Sequence, residues 1–295
     1  MYERDGADAL RLTDFYGALS PSFDSILSTL RGAGLDTDRV TAKDLYQRDL
    51  DCHNLGMYAM LGVLAEAAAQ LSAPTPNDTV LDIGCGLGGP GRFLVDHFGC
   101  AVVGIDLLPL RIERAQALSD LTGMAHRTSY RVANATHMEF DDGVFSQAWM
   151  LDVSIHIRAK QALFAEIARV LRPGGLLVMH DQTGPLPRAM QPLKRQAPYV
   201  APSLPQLVRH VEGAGLRVLT WRDTTPRVLE YFVGIQTMLT QASREVSTAL
   251  GPSGHDRATA LLAAYIETLG NLGGRTGILI ASRPGQSMLP RASQA

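Results

Sequence analysis

The sequence predicts an α/β fold built on a doubly wound sheet. A short apolar run, Val80 to Ile83, ends in a burst of glycines and passes into a helical pattern at Arg92, Phe93 and Leu94. Further apolar runs at 101–106, 129–133, 147–151 and 176–179 alternate with helix-period segments, the pattern of a parallel sheet. Apolar residues make up 46% of the 295 and charged residues 19%, a globular mixture that can bury a sizeable core.

Residues 1–75 read as an N-terminal helical cap. Leu10, Phe15, Leu19, Phe23, Ile26, Leu27 and Leu30 recur at helical spacing, with Pro21 breaking the run, and a second helix is expected over 56–71 before Pro74 and Pro76. The core is expected over 76–222. Its helices fall near 90–97, 111–121, 159–171 and 204–214, and its sixth strand over 216–221. Arg172-Pro-Gly-Gly175 breaks the core helix at 159–171 before the fifth strand, which ends at His180-Asp181. Five prolines between 184 and 202 (Pro185, Pro187, Pro192, Pro198, Pro202) predict an irregular loop. A helical insertion follows over 223–273, as two helices split at Gly251-Pro252-Ser253-Gly254. A last core strand is expected over 274–284 and a disordered tail over 285–295.

Charge and cysteine content exclude several classes. The net charge is −2 and no Lys/Arg cluster occurs, so nucleic acid is not an expected partner. Cys52, Cys85 and Cys100 are odd in number and have no CxxC spacing, which indicates neither a disulfide framework nor a zinc site. No signal peptide opens the chain and no apolar run approaches membrane-spanning length, so a cytoplasmic protein with no membrane partner is expected.

The glycine stretch carries the first chemistry. Gly84, Gly86 and Gly88 permit a tight strand-to-helix turn, whose backbone N–H groups are expected to be unpaired beside a gap. Gly84-x-Gly86-x-x-Gly89 satisfies the dinucleotide fingerprint. Asp82, two residues before the first glycine, favours instead a ligand with a cationic group, such as S-adenosylmethionine (SAM). Asp106 follows Gly84 by about twenty residues, where a carboxylate can accept the ribose hydroxyls of either cofactor.

Four ordered segments resemble the class I SAM-dependent methyltransferases: Val80-Leu-Asp-Ile-Gly-Cys-Gly-Leu-Gly-Gly with the helix after it, Gly104-Ile-Asp106, the strand ending at Leu151-Asp152, and Val170-Leu-Arg-Pro-Gly-Gly175. Within that family the chain resembles the small-molecule branch, which includes ubiquinone/menaquinone, glycine/sarcosine-type and many natural-product methyltransferases. The resemblance implies a Rossmann-like, seven-stranded sheet with its last strand antiparallel. It implies that SAM is the cofactor. Backbone from Gly84 through Cys85 and Gly86 to Gly88 would line its methionine part and Asp82 its ammonium group. Asp106 would hold the ribose, Leu107 would lie against adenine, Asn134 and Ala135 would meet the adenine edge, and Leu151 would lie near the sulfonium. Asn134 stands where the family often has Asp, and it offers both a donor and an acceptor.

Methyl transfer needs a base only when the acceptor must lose a proton. The candidates are His156, just beyond strand four, with Asp152 to orient it or bind a cationic substrate; His53; and His180 and Asp181. Each has a plainer reading. His53 and Asp152 suit helix caps, and the other three suit structural hydrogen bonds. No metal ligand spacing is present, and no metal is expected. Phe15, Tyr16, Tyr46, Tyr58, Tyr199, Tyr231 and Phe232 either line an acceptor pocket or belong to the core. The expected partners are a small-molecule methyl acceptor and a second copy of the chain. Two other classes remain: a SAM-fold protein with a binding or non-methylating role, and a nicotinamide oxidoreductase.

Overall fold

The computed structural model describes residue 12 and residues 21–52, 57–185, 199–241 and 252–285. Seven strands form one sheet: β1 (Thr79–Ile83), β2 (Ala101–Asp106), β3 (Thr128–Val132), β4 (Phe145–Leu151), β5 (Leu171–Thr183), β6 (Arg217–Asp223) and β7 (Arg275–Ser282). Their order is β3-β2-β1-β4-β5-β7-β6. Pairings from β3 through β5 are parallel, and β7 runs antiparallel to both β5 and β6. This is the seven-stranded sheet with an antiparallel last strand that the resemblance implies.

The helices are α1 (Phe23–Gly32), α2 (Ala42–Tyr46), α3 (Met57–Ser72), α4 (Gly89–Phe98), α5 (Pro109–Leu121), α6 (Lys160–Val170), α7 (Leu204–Gly213), α8 (Thr225–Gln241) and α9 (Pro252–Gly270). They cover the sheet on both faces, as a parallel sheet requires. One core joins Leu61 and Leu64 of α3, Phe93 and Leu94 of α4, Val228 and Phe232 of α8 and Leu269 of α9 to Val80, Val178 and Ile280. The other joins Phe164 and Ile167 of α6 and Leu207 and Val211 of α7 to Leu81, Ile83 and Leu177. Neighbouring residues of β1, Val80 and Leu81, thus feed opposite cores, which is the period-two alternation of a strand.

Two sequence expectations are corrected. Arg172-Pro-Gly-Gly175 lies inside β5 rather than before it: Phe145 pairs with Leu171, and Gln147 with Leu176. The strand accommodates the extra residues as a bulge, helped by Gly174 at φ +80°. At the split before α9, Pro252 opens the helix rather than separating it. A proline lacks the N–H that a first helical residue would leave unused. The tail from 286 onward lies outside the described residues, as do Phe15, Tyr16, Pro187, Pro192 and Pro198. Among the described residues, no helix is long and apolar enough to cross a membrane.

Candidate functional site

A cleft of about 1000 Å³, open to solvent, lies over the C-terminal ends of β1, β2 and β4. This is the switch point of the sheet, because β1 sits between β2 and β4 while the chain winds outward on either side. The walls include Asp82, Gly84, Cys85 and Gly86 from the glycine loop, and Asp106 and Leu107 from the end of β2. Asn134 and Ala135, and Leu151, Asp152 and His156, complete the set brought together from the sequence. Gly88 is not on the wall. It caps α4 at φ +79°, and a Cβ there would stand 2.5 Å from Tyr130 Oη. Its requirement for glycine is therefore packing behind the loop. His53 lies outside the described residues.

The loop's hydrogen bonds differ from the expectation of free N–H groups. Gly84 and Cys85 both donate to the Ile105 carbonyl, at 2.8 and 3.0 Å, and Gly88 donates to the Cys85 carbonyl at 2.8 Å. Gly86 donates to Asp106 Oδ2 at 3.0 Å. The neighbouring strand β2 thus takes the Gly84, Cys85 and Gly86 donors, which would otherwise be free for a phosphate. The Asp106 carboxylate is also held by Leu108 N–H at 3.0 Å, and the Arg111 guanidinium stands 3.8 Å away. Each of its oxygens keeps lone-pair capacity.

Asp82 is 1% exposed, and its Oδ2 has no hydrogen-bond partner among the described residues. Burial, then the Asp106 charge, pushes its carboxyl up to about 7. The Gly91 backbone N–H and the Arg92 charge only partly offset this, so burial of the carboxyl remains costly in the free protein. Asn134 is also more constrained than expected. Its Oδ1 already accepts from Thr136 N and Oγ1, at 2.9 and 2.8 Å, so only its amide N–H remains to offer.

The opposite wall is a turn. Asp152 leaves β4 at φ +55°, a left-handed conformation that costs a non-glycine residue about 1 kcal/mol. Its backbone N–H donates to the His180 carbonyl at 2.8 Å. A 3₁₀ turn over Ser154–His156 then presents His156 to the cleft. Asp181 accepts from Ser154 N at 3.0 Å and from Gln182 N at 2.8 Å, so it secures the turn from beneath. His180 is fully buried. Its Nε2 lies 2.9 Å from Thr224 Oγ1, and its Nδ1 lies 3.3 Å from Asp152 Oδ1 without hydrogen-bond alignment.

The described aromatic candidates do not line this cleft. Tyr46 stacks on Tyr58 with centroids 4.8 Å apart, and both meet Phe93; Tyr231 packs on Phe232. Tyr199 donates to Gln182 Oε1 at 2.5 Å.

Sequence reasoning missed Asp51 as a wall residue. Asp51 is buried with Arg92, whose Nη2 reaches Asp51 Oδ2 at 2.7 Å. Arg92 Nη1 also donates to the Ala115 carbonyl and Ser119 Oγ, both at 3.1 Å. The pair ties the segment before α3 to α4 and α5. An arginine among Gly91, Phe93 and Leu94 was the available signal, since a cation on an apolar helix face needs a buried acid.

The methyltransferase domain family matches residues 81–179, the stretch that carries the glycine loop, Asp106 and the His156 turn. Tocopherol O-methyltransferase of Arabidopsis thaliana is 37% identical over 100 residues, which are 34% of this chain and 29% of that protein. The match with this chain thus spans about a third of that curated relative. Among solved structures, phosphoethanolamine N-methyltransferase 2 of Haemonchus contortus, in complex with S-adenosyl-L-methionine, is similar with a TM-score of 0.72. It is 20% identical, over 83% of this chain and 57% of that one. The cyclase SpnF is similar with a TM-score of 0.63 and 19% identity, over 84% of this chain and 98% of that one. At those identities the likeness is one of fold.

Proposed function

We propose that the chain transfers the methyl group of S-adenosylmethionine to a small organic metabolite in the cleft over β1, β2 and β4. The observation that supports this reading is the buried Asp82 carboxyl, one oxygen of which has no hydrogen-bond partner among the described residues, beside a loop in which the N–H groups of Gly84, Cys85, Gly86 and Gly88 already have acceptors. A dinucleotide's pyrophosphate needs free N–H groups and would meet the carboxyl groups of Asp82 and Asp106 instead. A cofactor with an ammonium group and ribose hydroxyls suits both acids. The nicotinamide alternative is correspondingly disfavoured.

In this reading Asp106 accepts the ribose hydroxyls with the lone pairs left over from Gly86 and Leu108, and Asp82 faces the ammonium. Gly84, Cys85 and Gly86 lie along the methionine part. Leu107 packs on adenine, with the Asn134 amide N–H and Ala135 at its edge, and Leu151 borders the sulfonium. Gly88 acts from behind, by letting Tyr130 and Arg92 approach the loop. Bound there, S-adenosylmethionine supplies a methyl group already activated for displacement. The protein's task is to hold the acceptor in line and exclude water. His156 takes the acceptor's proton where there is one to lose, and Asp152 orients that imidazole or meets a cationic acceptor. His53 stays a third candidate. A cytoplasmic location and a homodimer belong to the same proposal.

The relatives include an O- and an N-methyltransferase, so the acceptor atom stays open. The likeness to a cyclase supports a second reading, in which the cleft binds the cofactor but serves another reaction. Incubation with SAM and a panel of phenols, amines and alcohols separates the two. Acceptor-dependent release of S-adenosylhomocysteine is expected. Binding of SAM with no S-adenosylhomocysteine from any acceptor would favour the second reading. With an acceptor in hand, His156→Ala should lower turnover about 100-fold. Wild-type turnover at saturating acceptor would remove His156 from the mechanism.

A further inference from the structure

Lys160 is a buried cation that the proposed reaction does not use. It opens α6, yet the N-terminus of a helix carries the positive end of the macrodipole, and α6 has no acidic residue in its first turn. It is 6% exposed, and burial lowers its ammonium to about 8. Both effects oppose a lysine here, so its compensation must come from its contacts.

Those contacts converge on one turn. Lys160 Nζ donates to the Ser154 carbonyl and, at 2.6 Å, to the Ile157 carbonyl. Asp181 takes the Ser154 N–H from the other side. The two peptide groups flanking Ser154 are thus gripped by opposite charges, one from α6 and one from β5. Val200 N–H adds a third hold on the Ile155 carbonyl at 2.7 Å. Between these fixed points lies His156, the residue that faces the cleft. The charged groups acting on Lys160 are Asp181, which favours its ammonium form, and Arg158, which opposes it.

We propose that Lys160 is a positioning residue for His156: by closing the Ser154 and Ile157 carbonyls it sets the imidazole's orientation toward the acceptor. This rests on the reading of His156 as the acceptor-facing residue. Lys160 itself is not on the cleft wall, so it acts through the turn.

The test needs no acceptor. The ring signals of His156 are followed by NMR through a pH titration in wild type, Lys160→Met and Lys160→Arg, with S-adenosylhomocysteine titrated into each. In Lys160→Met, the His156 midpoint is expected to move by about 0.5 in pH or its signal to broaden. Affinity for S-adenosylhomocysteine should stay within about threefold, since the glycine loop and Asp106 are untouched. Lys160→Arg, which restores a cationic donor, should bring the signal back toward wild type. If Lys160→Met does not fold, Lys160→Gln, which keeps one donating amide, takes its place with a smaller displacement expected. A His156 titration in Lys160→Met, or in Lys160→Gln where that replaces it, identical to wild type would overturn the proposal. Absence of S-adenosylhomocysteine binding in wild type would instead count against the methyltransferase reading and leave the Lys160 result to stand separately.

Discussion

The two walls of the cleft are made by different means. The wall over β1 and β2 is backbone: a glycine loop held by the Ile105 carbonyl and by Asp106, backed by the fully buried Arg92–Asp51 pair. The wall after β4 is a turn held by side chains from distant segments, Lys160 on α6 and Asp181 on β5. A backbone wall fits a ligand whose shape does not vary. A wall set by side chains can be altered one residue at a time while the sheet stays intact. The difference suits the proposed reaction, in which one wall holds the cofactor and the other meets the acceptor.

Three perturbations of the backbone wall test that division. The largest effect is expected from Arg92→Met. It strands Asp51, already raised by burial against the pull of Arg92, and should cost about 3–5 kcal/mol of stability in denaturant unfolding. The double variant with Asp51→Leu should recover most of the loss. An unchanged single variant would mean that the pair does not anchor this wall.

Asp106→Ala comes next. Removing the acceptor of Gly86 and Leu108 along with the proposed ribose contact should weaken SAM about 100-fold in calorimetry, near 3 kcal/mol. Unchanged affinity would contradict the cofactor assignment. The smallest effect is a pH dependence through Asp82. Its folded carboxyl sits at about 7, above the usual 3.8, so its ionised form is disfavoured in the free protein. The stabilising contribution of the protonated form is present below about 4 and is lost as pH rises through 7. An ammonium ligand needs the ionised form. SAM affinity should therefore fall up to about tenfold per pH unit below 7, and Asp82→Asn should flatten the profile. A flat wild-type profile would separate Asp82 from the ammonium.

The backbone wall was also the more legible in the sequence. Glycines, the acid before them and the acid ending β2 are local requirements of a turn and a ligand, so spacing reveals them. What spacing could not reveal was pairing. The Ile105 carbonyl takes two loop donors because β2 lies beside β1, and Thr136 occupies the Asn134 oxygen through a local turn. Gly88 was assigned to the ligand when its demand comes from Tyr130, contributed by β3. On the other wall, His156 and Asp152 were legible as residues at a strand's end. The grip of Lys160 was not, because a lysine opening a helix reads as surface until the sheet brings Asp181 beneath it.

The cleft over β1, β2 and β4 is proposed to hold S-adenosylmethionine. The most direct measurement is a calorimetric titration of the full chain with SAM, S-adenosylhomocysteine and NADH. Micromolar binding of the first two and none of NADH is expected. Failure of both to bind, or tighter binding of NADH than of SAM, would contradict it.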